Sequence, residues 1–278
     1  MPLAIASKEF VIKKMVELSA HPLKKWGQNF LIDETVSKDI VFALKIEAGN
    51  KVLEIGPGLG ALSEHLAGSQ GAITLLDIDP LFCDHLRKTF GSYPRLEVVQ
   101  GDIMKFDLNP FDKIIGNLPY YLTTPILEKI LDHASHLNIF IGMVQKEVFP
   151  RVIAKLGDDE YGPLSILFSY VGQVSLVRKV SKVYFLPVPH VDSLVFKVDF
   201  RKDIDPAFLK KLTSVTKNLF LLRRKTILNN LGGLVGGKEK ALVLLEKLHV
   251  EPQKRPEELP LSFYVSLTEL LLLEKALV

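Results

Sequence analysis

The stretch Lys51-Val52-Leu53-Glu54-Ile55-Gly56-Pro57-Gly58-Leu59-Gly60 constrains the fold more than any other part of the chain. Its apolar opening reads as a buried strand, its glycines as a tight loop, and the apolar spacing from Ala61 to Leu66 as helical. Glycines let a backbone pass close to a ligand, and a helix start supplies free N–H groups. The spacing is Gly-x-Gly-x-Gly with Glu54 two residues ahead, whereas a dinucleotide loop would read Gly-x-Gly-x-x-Gly, with its third glycine easing helix packing under a pyrophosphate. A nucleotide without a pyrophosphate suits this loop. Strands and helices then alternate from Lys51 to about Gln145, which implies a parallel sheet with helices on both faces.

Three further strand ends carry polar chemistry. Ala72 to Leu76 ends in Asp77-Ile78-Asp79, where a carboxylate can accept both hydroxyls of a ribose. Leu96 to Gln100 ends in Gly101-Asp102, and an acid there can take the amine of an adenine ring. Lys113 to Gly116 runs into Asn117-Leu118-Pro119-Tyr120-Tyr121. The Asn117 side chain and a neighbouring carbonyl can accept hydrogen bonds from an exocyclic amine, Pro119 fixes the turn, and Tyr120 offers a face on which a planar base can stack. In this order and spacing, the strand ends describe a site for an adenosine-containing cofactor beside a pocket for an aminated ring.

The chain here resembles the S-adenosylmethionine-dependent methyltransferases, and specifically the ribosomal RNA adenine N6,N6-dimethyltransferases that modify the small-subunit RNA. The likeness covers nearly the whole chain. Gly27-Gln28-Asn29-Phe30-Leu31 is similar to the family's opening motif, Glu54 to Gly60 to its cofactor loop and Asn117 to Tyr120 to its catalytic motif. Gln145 to Val148, Tyr161 to Ser165 and Phe185 to Ser193 are similar to further landmarks, as are Phe220 to Leu231 and Arg255 to Leu259 in the tail. The family most often has Glu-x-Asp where this chain has Asp77-Ile78-Asp79, so its ribose acceptor is one methylene shorter. Members carry Asn or Tyr where Tyr121 stands.

The resemblance implies a Rossmann-like methyltransferase sheet with a smaller C-terminal helical domain. It implies that S-adenosylmethionine is held by Asn29, Leu31, Gly56, Gly58, Asp77, Asp102 and Asn117, with Gln28 beside them and Glu54 near the methionine end. Asn117 and the Leu118 carbonyl would hold the adenine amine, and Tyr120 and Phe185 would clamp the extruded base; the alternative for Phe185 is a core residue. The implied target is a pair of adjacent adenosines near the 3′ end of small-subunit RNA, within a pre-ribosomal particle. Two other readings stand beside it: a large-subunit RNA adenine methyltransferase, and a non-catalytic RNA-binding assembly factor that keeps the fold. Leu118, rather than Ile, and the Arg223-Arg224-Lys225-Thr226 signature favour the small-subunit enzyme.

Composition fits such an enzyme. With 278 residues, 47% hydrophobic and 24% charged, the chain can bury a sizeable core and a second small domain. Its apolar runs are far shorter than the roughly 18 residues of a membrane span, the start lacks a signal-peptide layout, and Cys83 is the single cysteine, so a cytoplasmic setting is expected. The seven histidines lack metal-ligand spacing, so no metal is expected. A monomer is expected.

Residues 8 to 19 read as a leading helix, and Val174 to Phe200 as extended segments at the far edge of the sheet. Helices dominate beyond Asp205-Pro206, with Gly232-Gly233 and Gly236-Gly237 as breaks. The expected boundary thus falls at residue 200, giving a catalytic domain over 1–200 and an RNA-binding helical domain over 201–278. From Arg201 to Val278 there are fourteen Lys and Arg against nine Asp and Glu, a surplus of five, while the whole chain carries a net charge of +3. Arg223, Arg224 and Lys225 are three adjacent cations, expected to meet RNA phosphates. The competing expectation pairs them with acids such as Glu257 and Glu258.

Overall fold

The computed structural model describes residues 4–19 and 29–276. The chain divides into two compact units, one of residues 1–149 and 174–200, the other of residues 150–173 and 201–278.

The first unit is built on a seven-stranded sheet. In chain order its strands are β2 (Lys51–Ile55), β3 (Ala72–Asp77), β4 (Leu96–Gln100), β5 (Lys113–Asn117), β6 (Ile139–Gln145), β7 (Gly172–Val180) and β9 (Ser193–Phe200). A separate two-stranded ribbon pairs β1 (Phe30–Leu31) with β8 (Phe185–Leu186), antiparallel. The order across the sheet is β4-β3-β2-β5-β6-β9-β7, with β4 through β6 parallel and β9 antiparallel to β6. The near-continuous apolar runs in β2, β3, β5 and β6 follow from burial on both faces of the sheet. The chain winds outward from β2 to β4 and then returns to the other side of β2 as β5. The order therefore reverses between β2 and β5, which opens a crevice at the carboxyl ends of those strands.

Helices α1 (Lys8–Glu17), α2 (Glu34–Ala43), the short α3 (Ser63–Leu66), α4 (Pro80–Phe90) and α5 (Thr123–Asp132) belong to this unit. Local chemistry sets their starts. Asp33 caps α2 by accepting from the Val36 N–H at 2.8 Å, and Asp79 caps α4 by accepting from the Leu81 N–H at 3.0 Å, with Pro80 in the first turn. Val36, Ile40, Leu66, Leu75, Leu86 and Ile115 are among the buried residues of the main core.

The second unit is helical: α7 (Pro163–Val171), α8 (Pro206–Leu219), α9 (Ile227–Val235), α10 (Lys238–Lys247) and α11 (Leu261–Ala276). Helix α6 (Val148–Ile153) runs from the first unit into it. The single boundary expected at residue 200 is thus crossed earlier as well, because α7 packs on α8 and α11. The Tyr161 hydroxyl donates to the Leu259 carbonyl at 3.0 Å, and Tyr264 stacks on Phe220, so residues 150–173 share a core with the tail. Tyr264 also donates to the Pro256 carbonyl at 2.6 Å. The sequence pattern of an apolar helix such as α7 says that it is buried but not against what. A second expectation also changes: Gly232-Gly233 lies inside α9, and only Gly236-Gly237 interrupts the helices, with Gly236 left-handed at φ +78°.

Candidate active site

The crevice at the reversal of strand order is lined by the glycine loop after β2, the acidic ends of β3 and β4, and the Asn117–Leu122 segment after β5. Gly56 stands at φ +66°, a conformation that favours glycine, and a Cβ there would meet nothing nearer than the Asn117 carbonyl oxygen at 3.9 Å. The space beside Gly56 is therefore cleft, where a ligand can lie against bare backbone. Gly60 answers a different need, because a Cβ there would come within 2.8 Å of the Phe90 ring on α4.

Asp77 ties the loop to the second strand. One of its carboxylate oxygens accepts the Gly58 N–H at 3.0 Å, and the other accepts the Asp79 N–H at 2.9 Å. Burial pushes its carboxyl above the ordinary aspartate range, and these two backbone bonds oppose that rise. Glu54 is 1% exposed and lines the same crevice. The Ser63 hydroxyl donates to it at 2.6 Å, and burial pushes its pKa up to about 8.

Asp102 accepts the Met104 N–H at 2.9 Å through Oδ1, while Oδ2 has no hydrogen-bond partner among the described residues. Its loop is held from outside. Lys129, on α5, donates to the carbonyls of Ile103 at 2.7 Å and Phe106 at 2.5 Å. A lysine in the middle of a helix carries no local sequence signal of this role. Ile78 and Ile103, which also line the crevice, each follow a strand-end acid, and that placement could have marked them as apolar walls for a planar ring.

Asn117 donates from Nδ2 to the Asn29 carbonyl at 3.1 Å, so the β1 segment fixes the amide plane and leaves Oδ1 as its other end. The Leu118 N–H donates to the Met143 carbonyl at 3.0 Å, which secures the turn on β6. The Tyr120 hydroxyl lies 3.3 Å from Ser193 Oγ, anchoring a half-buried ring whose hydroxyl burial pushes above its usual range. Asn29, Leu31, Glu54, Gly56, Gly58, Asp77, Asp102, Asn117, Leu118 and Tyr120 all line this one crevice. Tyr121 lines it too and is 50% exposed. Gln28 and Gly27 lie outside the described residues.

Phe185 departs from expectation. Its ring is 0% exposed in the main core, where it opposes Leu31 in the β1–β8 pairing, and it does not line the crevice. The stiff Phe-x-Pro-x-Pro loop does hold an aromatic ring, but the short ribbon turns that ring inward. The second face of a base clamp is therefore not provided by Phe185 in this conformation.

The three cations of the second unit also part company. Arg223 donates to the Asp159 carbonyl at 2.8 Å and stands 3.9 Å from Glu257 Oε2. Arg224 and Lys225 are exposed, and neither has a side-chain hydrogen bond or ion pair among the described residues. Buried Asn230 braces this turn by donating to the carbonyls of Leu222 at 3.2 Å and Lys225 at 3.3 Å. Among the described residues no group of His, Cys, Asp and Glu could hold a metal ion, and no helix is long and apolar enough to cross a membrane.

A mostly parallel sheet with its crevice at the reversal of strand order, a glycine cradle and two strand-end acids matches the class of Rossmann-like methyltransferases. Two solved structures share the fold. A dimethyladenosine transferase from Plasmodium falciparum matches with a TM-score of 0.74 and 27% identity, over 88% of this chain and 97% of that one. The 23S rRNA methyltransferase ErmE matches with a TM-score of 0.65 and 25% identity, over 87% and 98%. Residues 21–271 match the model of the ribosomal RNA adenine dimethylase family, and the chain belongs to that family. Curated relatives named ribosomal RNA small subunit methyltransferase A include those of Lysinibacillus sphaericus, 37% identical over 89% of this chain and 90% of the relative, and Leuconostoc mesenteroides, 38% identical over 88% of each.

Proposed function

We propose that this protein dimethylates N6 of two adjacent adenosines near the 3′ end of small-subunit ribosomal RNA, with S-adenosylmethionine as methyl donor. The observation that carries the reading is the placement of Asn117 to Tyr120 at the end of β5, beside the Gly56 cradle and in one crevice with Asp77 and Asp102. The family match and the small-subunit relatives support it.

The residues present fit the cofactor. Gly56 gives bare backbone, and we assign Asp77, whose oxygens also hold the Gly58 and Asp79 N–H groups, to the ribose hydroxyls and the free oxygen of Asp102 to an adenine amine. When bound, S-adenosylmethionine supplies a methyl group already activated by a sulfonium, so the protein's task is mostly positioning. An adenine amine is a weak nucleophile because its lone pair is delocalised into the ring. Asn117 Oδ1 and the Leu118 carbonyl accept its two hydrogens and favour the pyramidal nitrogen of the transition state. Tyr120 stacks on one face of the extruded base, offsetting an unstacking cost of a few kcal/mol. Each transfer would form one N–CH3 bond as the donor's S–CH3 bond breaks to leave a neutral thioether, with one proton passing from the amine to water; the secondary amine left by the first transfer retains the hydrogen that the second, with a fresh donor, would replace.

Arg224 and Lys225, free at the surface of the second unit, are the cations we assign to RNA phosphates, and that unit is the RNA-binding domain of the reading. The partner is a pre-ribosomal small-subunit particle, met by a monomer in the cytoplasm. Mapping methylated nucleotides in ribosomal RNA from cells with and without the gene tests the reading. Loss of two adjacent dimethyladenosines from the small-subunit RNA is expected. Loss confined to large-subunit RNA would instead assign the chain to the ErmE type of activity.

A further inference from the structure

The crevice holds two buried carboxyl groups that are treated unequally. Each oxygen of Asp77 accepts a backbone N–H, whereas Glu54, 1% exposed, has a single donor, the Ser63 hydroxyl at 2.6 Å. A carboxylate has about four acceptor sites, and leaving most of them unfilled away from water disfavours the charged form. The groups that face Glu54 do not relieve it. Helix α3 presents Ser63, β3 presents Asp77 with its own negative charge, and β5 presents Ile115 in register with Glu54. No Lys, Arg or His side chain is bonded to it among the described residues. Yet Glu54 lines the crevice beside Gly56, where a ligand can approach.

We propose that Glu54 makes cofactor binding proton-linked: its carboxyl is neutral while the crevice is empty and releases its proton to solvent when the cationic end of S-adenosylmethionine occupies the site. The inference rests on the cofactor reading above and goes beyond it by assigning this acid as a counter-charge that forms on binding. The sign follows from linkage. Burial pushes the carboxyl up to about 8, and a cation beside it favours the charged form and so lowers it. The Glu54 contribution to affinity is then weakest at low pH and rises through neutrality. Between pH 6.5 and 7.5 the wild-type protein should tighten its grip severalfold, with net proton release on binding at neutral pH.

Isothermal titration of S-adenosylmethionine into the full chain, in buffers of differing ionisation enthalpy, reads the released proton directly. The ligand's own amine also titrates, with free α-amino groups near 7.7–8.0, so the Glu54→Gln protein serves as the reference. Glu54→Gln should bind with no proton release and a nearly flat affinity from pH 6.5 to 7.5. Ser63→Ala, which removes the one donor to the charged form, should move the wild-type pH midpoint upward and gives a second arm if Glu54→Gln does not fold. Binding by the wild-type protein with no net proton release, or with the same release as Glu54→Gln, overturns the inference while leaving the cofactor reading intact. Failure of the wild-type protein to bind at any of these pH values sinks both.

Discussion

The crevice of the first unit and the Arg223–Lys225 turn of the second hold their polar side chains by opposite means. In the crevice the polar side chains are held by partners: Asn117 by the Asn29 carbonyl, Tyr120 by Ser193, Asp77 by the Gly58 and Asp79 N–H groups, and the Asp102 loop by Lys129. In the turn the backbone is braced by Asn230, while the Arg224 and Lys225 side chains extend freely into solvent. On the proposed reading, the difference matches what each would recognise. Methyl transfer needs atoms placed to within a fraction of an ångström, so orientation is prepared in advance. A phosphate backbone is met through charge, which acts over several ångströms and tolerates mobile side chains.

The sharpest break in this comparison concerns Phe185, read from sequence as part of the site and found in the core. Phe185→Ala should destabilise the first unit by about 3–5 kcal/mol, as truncation of a fully buried aromatic ring does. A melting curve measures that. Phe185→Leu should keep most of the stability and most of the methyl-transfer rate. A stable Phe185→Leu protein that loses transfer a hundredfold would return the ring to the base clamp and imply that the β1–β8 ribbon opens during turnover.

Asn117→Ala should lower the single-turnover rate about a hundredfold, since one preorganised group in comparable sites contributes about 2.7–4 kcal/mol. RNA association should survive. A variant within twofold of the parent, followed with radiolabelled cofactor, would exclude Asn117 as a main catalytic group.

Smaller effects separate the walls of the crevice. Gly56→Val and Asp102→Ala should each weaken cofactor binding at least tenfold, or about 1.4 kcal/mol, the first by filling the cradle and straining a φ of +66°, the second by removing the unpartnered carboxylate oxygen. Unchanged calorimetric affinity in both would mean that the cofactor lies elsewhere.

The smallest effects lie in the turn, and they split the three cations. Replacing Arg224 and Lys225 by Ala should weaken particle binding severalfold and reduce the salt slope by about two, with no change in melting temperature. Arg223→Ala should do the reverse, lowering stability by about 1 kcal/mol or less through loss of the Asp159 and Glu257 contacts while the salt slope stays put. Equal salt-slope losses from all three single variants would show that Arg223 leaves its partners to bind RNA.

Local order made most of the first unit legible in the chain. A strand–glycine–helix pattern, acids at two strand ends and Asn117 at a fourth are signals of one or two residues each. Parallel alternation obliges those ends to lie on one edge of the sheet, where all of them are found. The tail read as helical for the same reason, apart from Gly232-Gly233, where packing of α9 against α10 overrides the low helix propensity of glycine. What the sequence left open were the questions of partner and facing. It could not say that residues 150–173 join the tail, that Phe185 turns into the core while Tyr120 faces the crevice, that Lys129 braces the Asp102 loop, or that Arg223 is already engaged. Periodicity reports that a side chain is buried or charged, because those properties belong to the residue and its near neighbours. Which surface buries it, and which distant carbonyl or carboxylate meets it, depends on segments brought together only when the sheet and the helical unit close, and so was decided by the tertiary structure.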